Sequence, residues 1–287
     1  MSPVNHLGNR RIGILLCDTD NPFWQAKIEQ YRNLADSFGF DVEFRAARNA
    51  NDTEEQRSEL LRIAEENYDA VIINPLTADN LLSVLSELPF PAFDVGPKCD
   101  PKKTTGLRNY FPVFVADFEE QGFLAGEALT SALEPTDEAW ALIIGGFFDA
   151  RHSSLRCRGA FKAFRKVFTQ EHIITIYANF NRYDARKAVK ALVPKLDIRA
   201  VFCANDLMAL GASDVLAESA SGSSVPVGGV DAIPEALDAL KDGRLFCTVS
   251  LSHEEVVSGV YRAVTNWFDG ILPSGNPIAH SALIRRP

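Results

Sequence analysis

The sequence has no CxxC pair, no basic run and no apolar stretch of membrane-spanning length. Its five cysteines (Cys17, Cys99, Cys157, Cys203 and Cys247) lack zinc-type spacing. Their odd number argues against a disulfide framework and leans toward a reducing compartment. Net charge is -9 over 287 residues, which gives no support to a nucleic-acid surface. The longest early apolar run, Ile12 to Cys17, is broken by Gly13 and is too short for a membrane span or a signal-peptide core.

Catalytic signatures are missing as well. There is no GxxxxGK[ST] loop, no GxGxxG after a strand and no GxSxG elbow. "HEEVV", from His253, lacks the second His of a zinc-protease motif and reads as a helix start. "GGFFDARHSS" gathers Gly, Asp, His and Ser, but nothing orders them into nucleophile and base. No enzyme, cofactor or metal site is expected.

What is present is alternation. Arg11 to Cys17 reads as a strand, Pro22 to Phe38 as a helix stopped by Gly39, and Asp41 to Ala46 as a strand. A helix follows from Asp52, with Glu55 in a capping-box-like position, and "DAVIINP" is a continuously apolar strand covered on both faces. After the strand "PAFDV" the pattern restarts through the helix "EEQGFLAGEALTSAL" and the strands "WALIIGG", "IITIYA", "AVFCAN" and "VPVGGV". This predicts two doubly wound α/β domains with parallel sheets. "YDAVIINPLTADNLLSVL" and "IRAVFCANDLMALGASDVL" echo each other, as two related domains would.

In such sheets ligands lie beyond the carboxyl ends of the strands. The polar residues there are Asp18, Asp20, Asn21, Asn74, Asp94, Asn205, Asp206 and Asp231. Each alone also reads as a helix cap or turn residue. "CDTDNPFWQAK" is the odd stretch, because Phe23 and Trp24 sit side by side where a helix begins. Either one ring is core, or one lines a cleft at the end of the first strand.

Taken together, "RIGILLCDTDNPFWQAKIEQ", "DAVIINP", "LRCRGAF", "AVFCANDLMALG" and "VGGVDAIPEALDALKDGRLFCTVS" resemble the ribose- and galactose-type periplasmic sugar-binding proteins. Their fold is shared with the ligand-binding cores of lac-repressor-type regulators. The resemblance runs from Arg10 onward. It implies lobes of 1–117 plus 253–279 and 118–252 plus 280–287, joined by a three-strand hinge, with the ligand in the interdomain cleft. It also implies that Asn21 bonds a hydroxyl, that Phe23 and Trp24 stack on one face of a sugar ring, and that Phe180 stacks on the other. Asn205 and Asp231 match the family's hydroxyl contacts, and Arg156 its arginine, with Arg151 the alternative.

The chain departs from the pattern in two places. Gly96-Pro97 stands where the family has an Asp-Arg pair, leaving Asp94 nearby, and Leu251 replaces a Gln. The loss of these polar groups speaks against plain ribose, glucose or galactose as the ligand, unless water or a side chain such as Asp94, Lys98 or Ser250 fills the gap. A deoxy, methylated or modified sugar, or a small cyclic polyol, would suit.

The function implied is a solute receptor that closes on a sugar and presents it to a membrane ABC permease or sensor. It would be a periplasmic monomer with its signal peptide removed. The alternative is a cytoplasmic regulator core, which needs a helix-turn-helix domain ahead of the first strand, where ten residues precede Arg11.

Overall fold

The structure, a computed structural model, describes residues 9–48, 52–96, 101–113, 115–131, 133–219, 225–272 and 279–286. Pro97, Lys98 and Cys99 lie outside the described residues. The chain divides into two compact units: Met1–Ala116 with Ser252–Ala279, and Asp117–Leu251 with His280–Pro287.

Unit 1 runs β1 (Arg10–Leu16), α1 (Pro22–Ala35), β2 (Phe40–Ala46), α2 (Thr53–Glu65), β3 (Ala70–Ile73), α3 (Leu82–Leu85), β4 (Ala92–Asp94), α4 (Pro101–Thr104) and β5 (Tyr110–Pro112). The strands form one parallel sheet in the order β2-β1-β3-β4-β5. Every residue of β3 is fully buried, because helices cover both faces of such a sheet. The unit's second segment adds a helix, His253–Phe268, which the Tyr261 hydroxyl anchors by donating to the Tyr31 carbonyl of α1 at 2.7 Å.

Unit 2 runs α5 (Phe118–Thr130), β6 (Trp140–Gly145), α6 (Arg151–Phe164), β7 (Ile173–Tyr177), α7 (Arg182–Leu192), β8 (Ile198–Cys203), α8 (Asp206–Glu218), β9 (Val227–Val230), α9 (Pro234–Lys241) and β10 (Cys247–Leu251). With His253–Phe268 as α10, the chain ends in β11 (Ser281–Arg285). The sheet order is β11-β10-β9-β8-β6-β7, parallel except for β11, which pairs antiparallel with β10. The alternation read from the sequence missed β5 and β11. β5 has three residues and ends in Pro112, and β11 is the partly exposed edge strand of its sheet.

Each sheet reverses its winding once. In unit 1 the switch lies between β1 and β3, and in unit 2 between β6 and β8. There successive loops diverge and leave a crevice at the carboxyl ends of the strands. The loops after β1, β3, β6 and β8 carry Asn21, Asn74, Gly146 and Asn205 in turn.

α5 and α6 lie backbone to backbone. A Cβ on Gly122 would collide with the Arg156 carbonyl, and one on Gly159 with the Glu119 carbonyl. That closeness brings the Arg156 side chain alongside Gln121.

Candidate functional site

In unit 1, Asn21 caps α1, its Oδ1 accepting from the Phe23 N–H at 3.0 Å, and Pro22 takes the first helical position. The Asp18 carboxylate accepts from the Asp20 and Asn21 amides at 2.7 and 3.3 Å, fixing the approach to the helix. Phe23 and Trp24 meet edge to face, with centroids 5.0 Å apart and planes at 82°. Neither ring is fully buried. The Lys27 ammonium, in contrast, is buried beneath them, 4.6 Å from the Phe23 centroid and 5.3 Å from that of Trp24. Phe23 also leans on His253 of α10 at 5.1 Å. The pair is thus seated on a cation and a histidine, with ring surface left over.

Burial first, then the Lys27 charge, pushes the His253 imidazole down to about 4, so it is neutral at pH 7. The sequence marked His253 only as the helix start of "HEEVV", and Lys27 not at all, because it looks like an ordinary helix residue.

Asp94 ends β4 fully buried, and both of its oxygens serve unit 1 itself. The Tyr110 hydroxyl donates to Oδ2 at 2.7 Å and the Gly96 amide to Oδ1 at 3.0 Å. Gly96 packs tightly too: a Cβ there would lie 2.7 Å from the Asn74 Nδ2. Of the other two side chains considered for the polar gap, Lys98 lies outside the described residues, and the Ser250 hydroxyl donates to the Ala282 carbonyl of β11 at 3.2 Å.

A residue the sequence reading passed over organises these loops. Gln56 of α2, fully buried, donates to the carbonyls of Leu16 and Asn74 and accepts from the Leu76 amide and the Asn80 side chain, all at 2.8–3.0 Å. One amide thereby ties the ends of β1 and β3, and nothing in an amphipathic helix marks such a glutamine beforehand.

In unit 2 the structure brings Arg156, Phe180, Asn205 and Asp231 into one neighbourhood. Arg156 is 6% exposed. Its Nε donates to Gln121 Oε1 at 2.8 Å, its Nη1 to the Ala204 carbonyl at 2.7 Å, and its Nη2 lies 3.6 Å from Asp231 Oδ1. Burial holds the guanidinium below its ordinary value, and Asp231 and Asp206 oppose that fall. It stays charged at any physiological pH, because even a lowered arginine sits far above neutrality. Arg151, the other arginine considered, begins α6 half-buried, with no side-chain partner among the described residues.

Asn205 caps α8, its Oδ1 accepting from the Met208 amide at 3.0 Å while its Nδ2 donates to the Phe180 carbonyl at 3.4 Å. Phe180 has φ 57° and the preceding Asn179 φ 52°. Its ring lies parallel to His152, 5.1 Å away and tilted 3°, and edge-on to Phe147 at 5.7 Å. Gly146 makes room for it, since a Cβ there would strike the ring. In "GGFFDARHSS" the Ser153 hydroxyl accepts from the Gly146 amide at 2.8 Å, and His152 packs on Phe180 and Phe118. These residues shape the loop after β6.

Cys157, Cys203 and Cys247 are buried free thiols, and Cys17 is half-buried. Burial pushes Cys157 up to about 11 and Cys247 to about 12, which keeps both protonated.

Comparison with known proteins gives this arrangement a context. The D-allose-binding periplasmic protein of Escherichia coli (strain K12) is 24% identical over 248 residues, covering 85% of this chain and 79% of that protein. A periplasmic solute-binding protein of an Actinobacillus succinogenes 130z ABC transporter, solved with bound D-allose, superposes with a TM-score of 0.86 at 19% identity, covering 97% of this chain and 98% of the other. A Bacillus halodurans C-125 solute-binding protein with bound myo-inositol reaches 0.81 at 21% identity, with 99% and 96% covered. The family described as "Periplasmic binding protein domain" matches residues 12–270, and the chain belongs to that family.

Proposed function

We propose that this protein is a receptor for a sugar or cyclic polyol, serving a membrane ABC import system from the periplasm or cell exterior. Its family consists of binding proteins and not of enzymes. The observation that carries the reading is the buried Arg156–Asp231 pair beside Asn205 and Phe180, at the carboxyl ends of the strands around the switch point of the second sheet. A carboxylate and a guanidinium held there suit hydroxyl groups, which accept from one and donate to the other. Asn21, Phe23 and Trp24 occupy the matching position in the first sheet, where exposed ring surface suits the C–H face of a sugar.

We further propose that residues of both units contact one ligand and that binding closes the protein on it. A fall in the radius of gyration at saturation, measured by solution scattering, is the expected result; an unchanged radius contradicts closure. The relatives are periplasmic and ABC-transporter solute-binding proteins, which favours this reading over a regulator core.

Within the described residues Gly96 and Leu251 contribute no side-chain hydrogen bond, and Asp94 and Ser250 already have partners. Ribose, glucose and galactose are therefore expected to rank behind a deoxy, methylated or otherwise modified sugar or a small cyclic polyol such as myo-inositol, with D-allose, the sugar bound by relatives, included for comparison. A thermal-shift panel of these compounds tests both statements. A ligand at a hundred times its dissociation constant stabilises by about 2.7 kcal/mol. A panel without any shift contradicts the receptor reading; ribose, glucose or galactose giving the largest shift contradicts the ranking.

A further inference from the structure

Asp206 opens α8 and is fully buried, and among the described residues its carboxylate is held by neutral donors and not by an ion pair. Its Oδ2 accepts from the Ile233 amide at 3.0 Å, and its Oδ1 accepts from the Thr248 hydroxyl at 2.7 Å. The Thr248 oxygen in turn accepts from the Ala232 amide at 3.3 Å. Between these anchors the chain turns through Asp231 at φ 118° and Ala232 at φ 54°. Two successive non-glycine residues at positive φ are strained, and such a turn persists only when its surroundings over-determine it. The Asp231 amide is tied on its other side to the Val249 carbonyl at 2.9 Å. Gly229 completes the fit, since a Cβ there would strike Asp206 Oδ1.

We infer that Asp206, through Ile233 and Thr248, is the positioning residue that holds the strained Asp231 turn and so aims the Asp231 carboxylate at the ligand. The inference rests on the receptor reading for the ligand, but its structural half stands by itself. An ordinary capping role does not explain Asp206, because Asn205 already caps α8. Two acceptor oxygens are needed for two donors, and an asparagine supplies one.

Amide hydrogen exchange in Asp206→Asn tests the structural half without any ligand. Exchange of the Ala232 and Ile233 amides is expected to speed up by about tenfold or more, with amides in the middle of α8 unchanged. Thr248→Val removes the second anchor and serves if Asp206→Asn does not fold. It should release the Ala232 amide first. Unchanged exchange at both positions in both variants overturns the inference.

Titration with D-allose then separates positioning from general support. Asp206→Asn should weaken binding about tenfold in the wild-type background and less than about twofold in Asp231→Ala, because it acts through the residue already lost. Equal losses in both backgrounds overturn the positioning role. If wild type does not bind D-allose, or Asp231→Ala binds it as well as wild type, the failure belongs to the D-allose or Asp231 reading. The exchange result then decides the role of Asp206 in the turn.

Discussion

The Arg156 guanidinium stands 3.6 Å from the Asp231 carboxylate, with both side chains less than a tenth exposed. A buried ion pair is weak evidence of net stabilisation, but removing one partner strands the other. Arg156→Leu would leave Gln121 Oε1 and the Ala204 carbonyl without their donor, and Asp231 facing Asp206 without a cation. A loss of about 3–5 kcal/mol in urea unfolding is expected. Arg151→Leu, at a position without a partner among the described residues, should stay within about 0.5 kcal/mol of wild type. Equal effects would mean that Arg156 has no such role.

His253 gives the protein a pH dependence. Its folded value of about 4 lies below the unfolded 6.5, so between these values the unfolded chain binds the extra proton. The contribution is complete above about pH 6.5 and is lost as pH falls toward 4. The imidazole is only partly buried, so a screened contribution of about 1–2 kcal/mol is expected. Denaturant midpoints from pH 7 to 4.5 measure it. His253→Gln should flatten that part of the profile, and an unchanged slope rules His253 out.

Much of the fold was legible because parallel strands announce themselves. β3 and the central residues of β1, β6 and β8 are apolar runs with both faces covered, and Asn21, Asp52 and Asn205 cap the helices where the sequence suggested. The site was legible as residue types but not as partners. Asp94 reads like Asp231 at the end of a strand, and only folding shows that Tyr110 and Gly96 take up both of its oxygens. Gln56, Gln121 and Thr248 were invisible, because a polar residue that bonds across 18 to 42 positions leaves no local trace.

Gly146→Ala is expected to dislodge the Phe180 ring, which lies where the new Cβ must go. Overpacking of this kind costs about 1–3 kcal/mol. Ligand affinity should fall together with stability, whereas Phe148→Ala, at a side chain 76% exposed, should leave stability unchanged. A Gly146→Ala protein with wild-type stability and affinity would contradict the packing described.

Trp24 should report binding. Trp140 packs on His172 at 4.6 Å at the start of β6, and Trp267 lies near the end of α10, so neither accompanies the switch-point loops. A ligand-induced change in tryptophan emission is expected in wild type and not in Trp24→Phe. Its persistence in the variant assigns the signal elsewhere.

Titration calorimetry of wild type and Asp231→Ala with D-allose, myo-inositol and the remaining panel compounds tests the central claim most directly. At least one compound should bind wild type with micromolar affinity or better, and Asp231→Ala should lose about 1.5–3 kcal/mol for each charged bond to a hydroxyl. Failure of every sugar and polyol to bind, or a variant within twofold of wild type, would contradict the account.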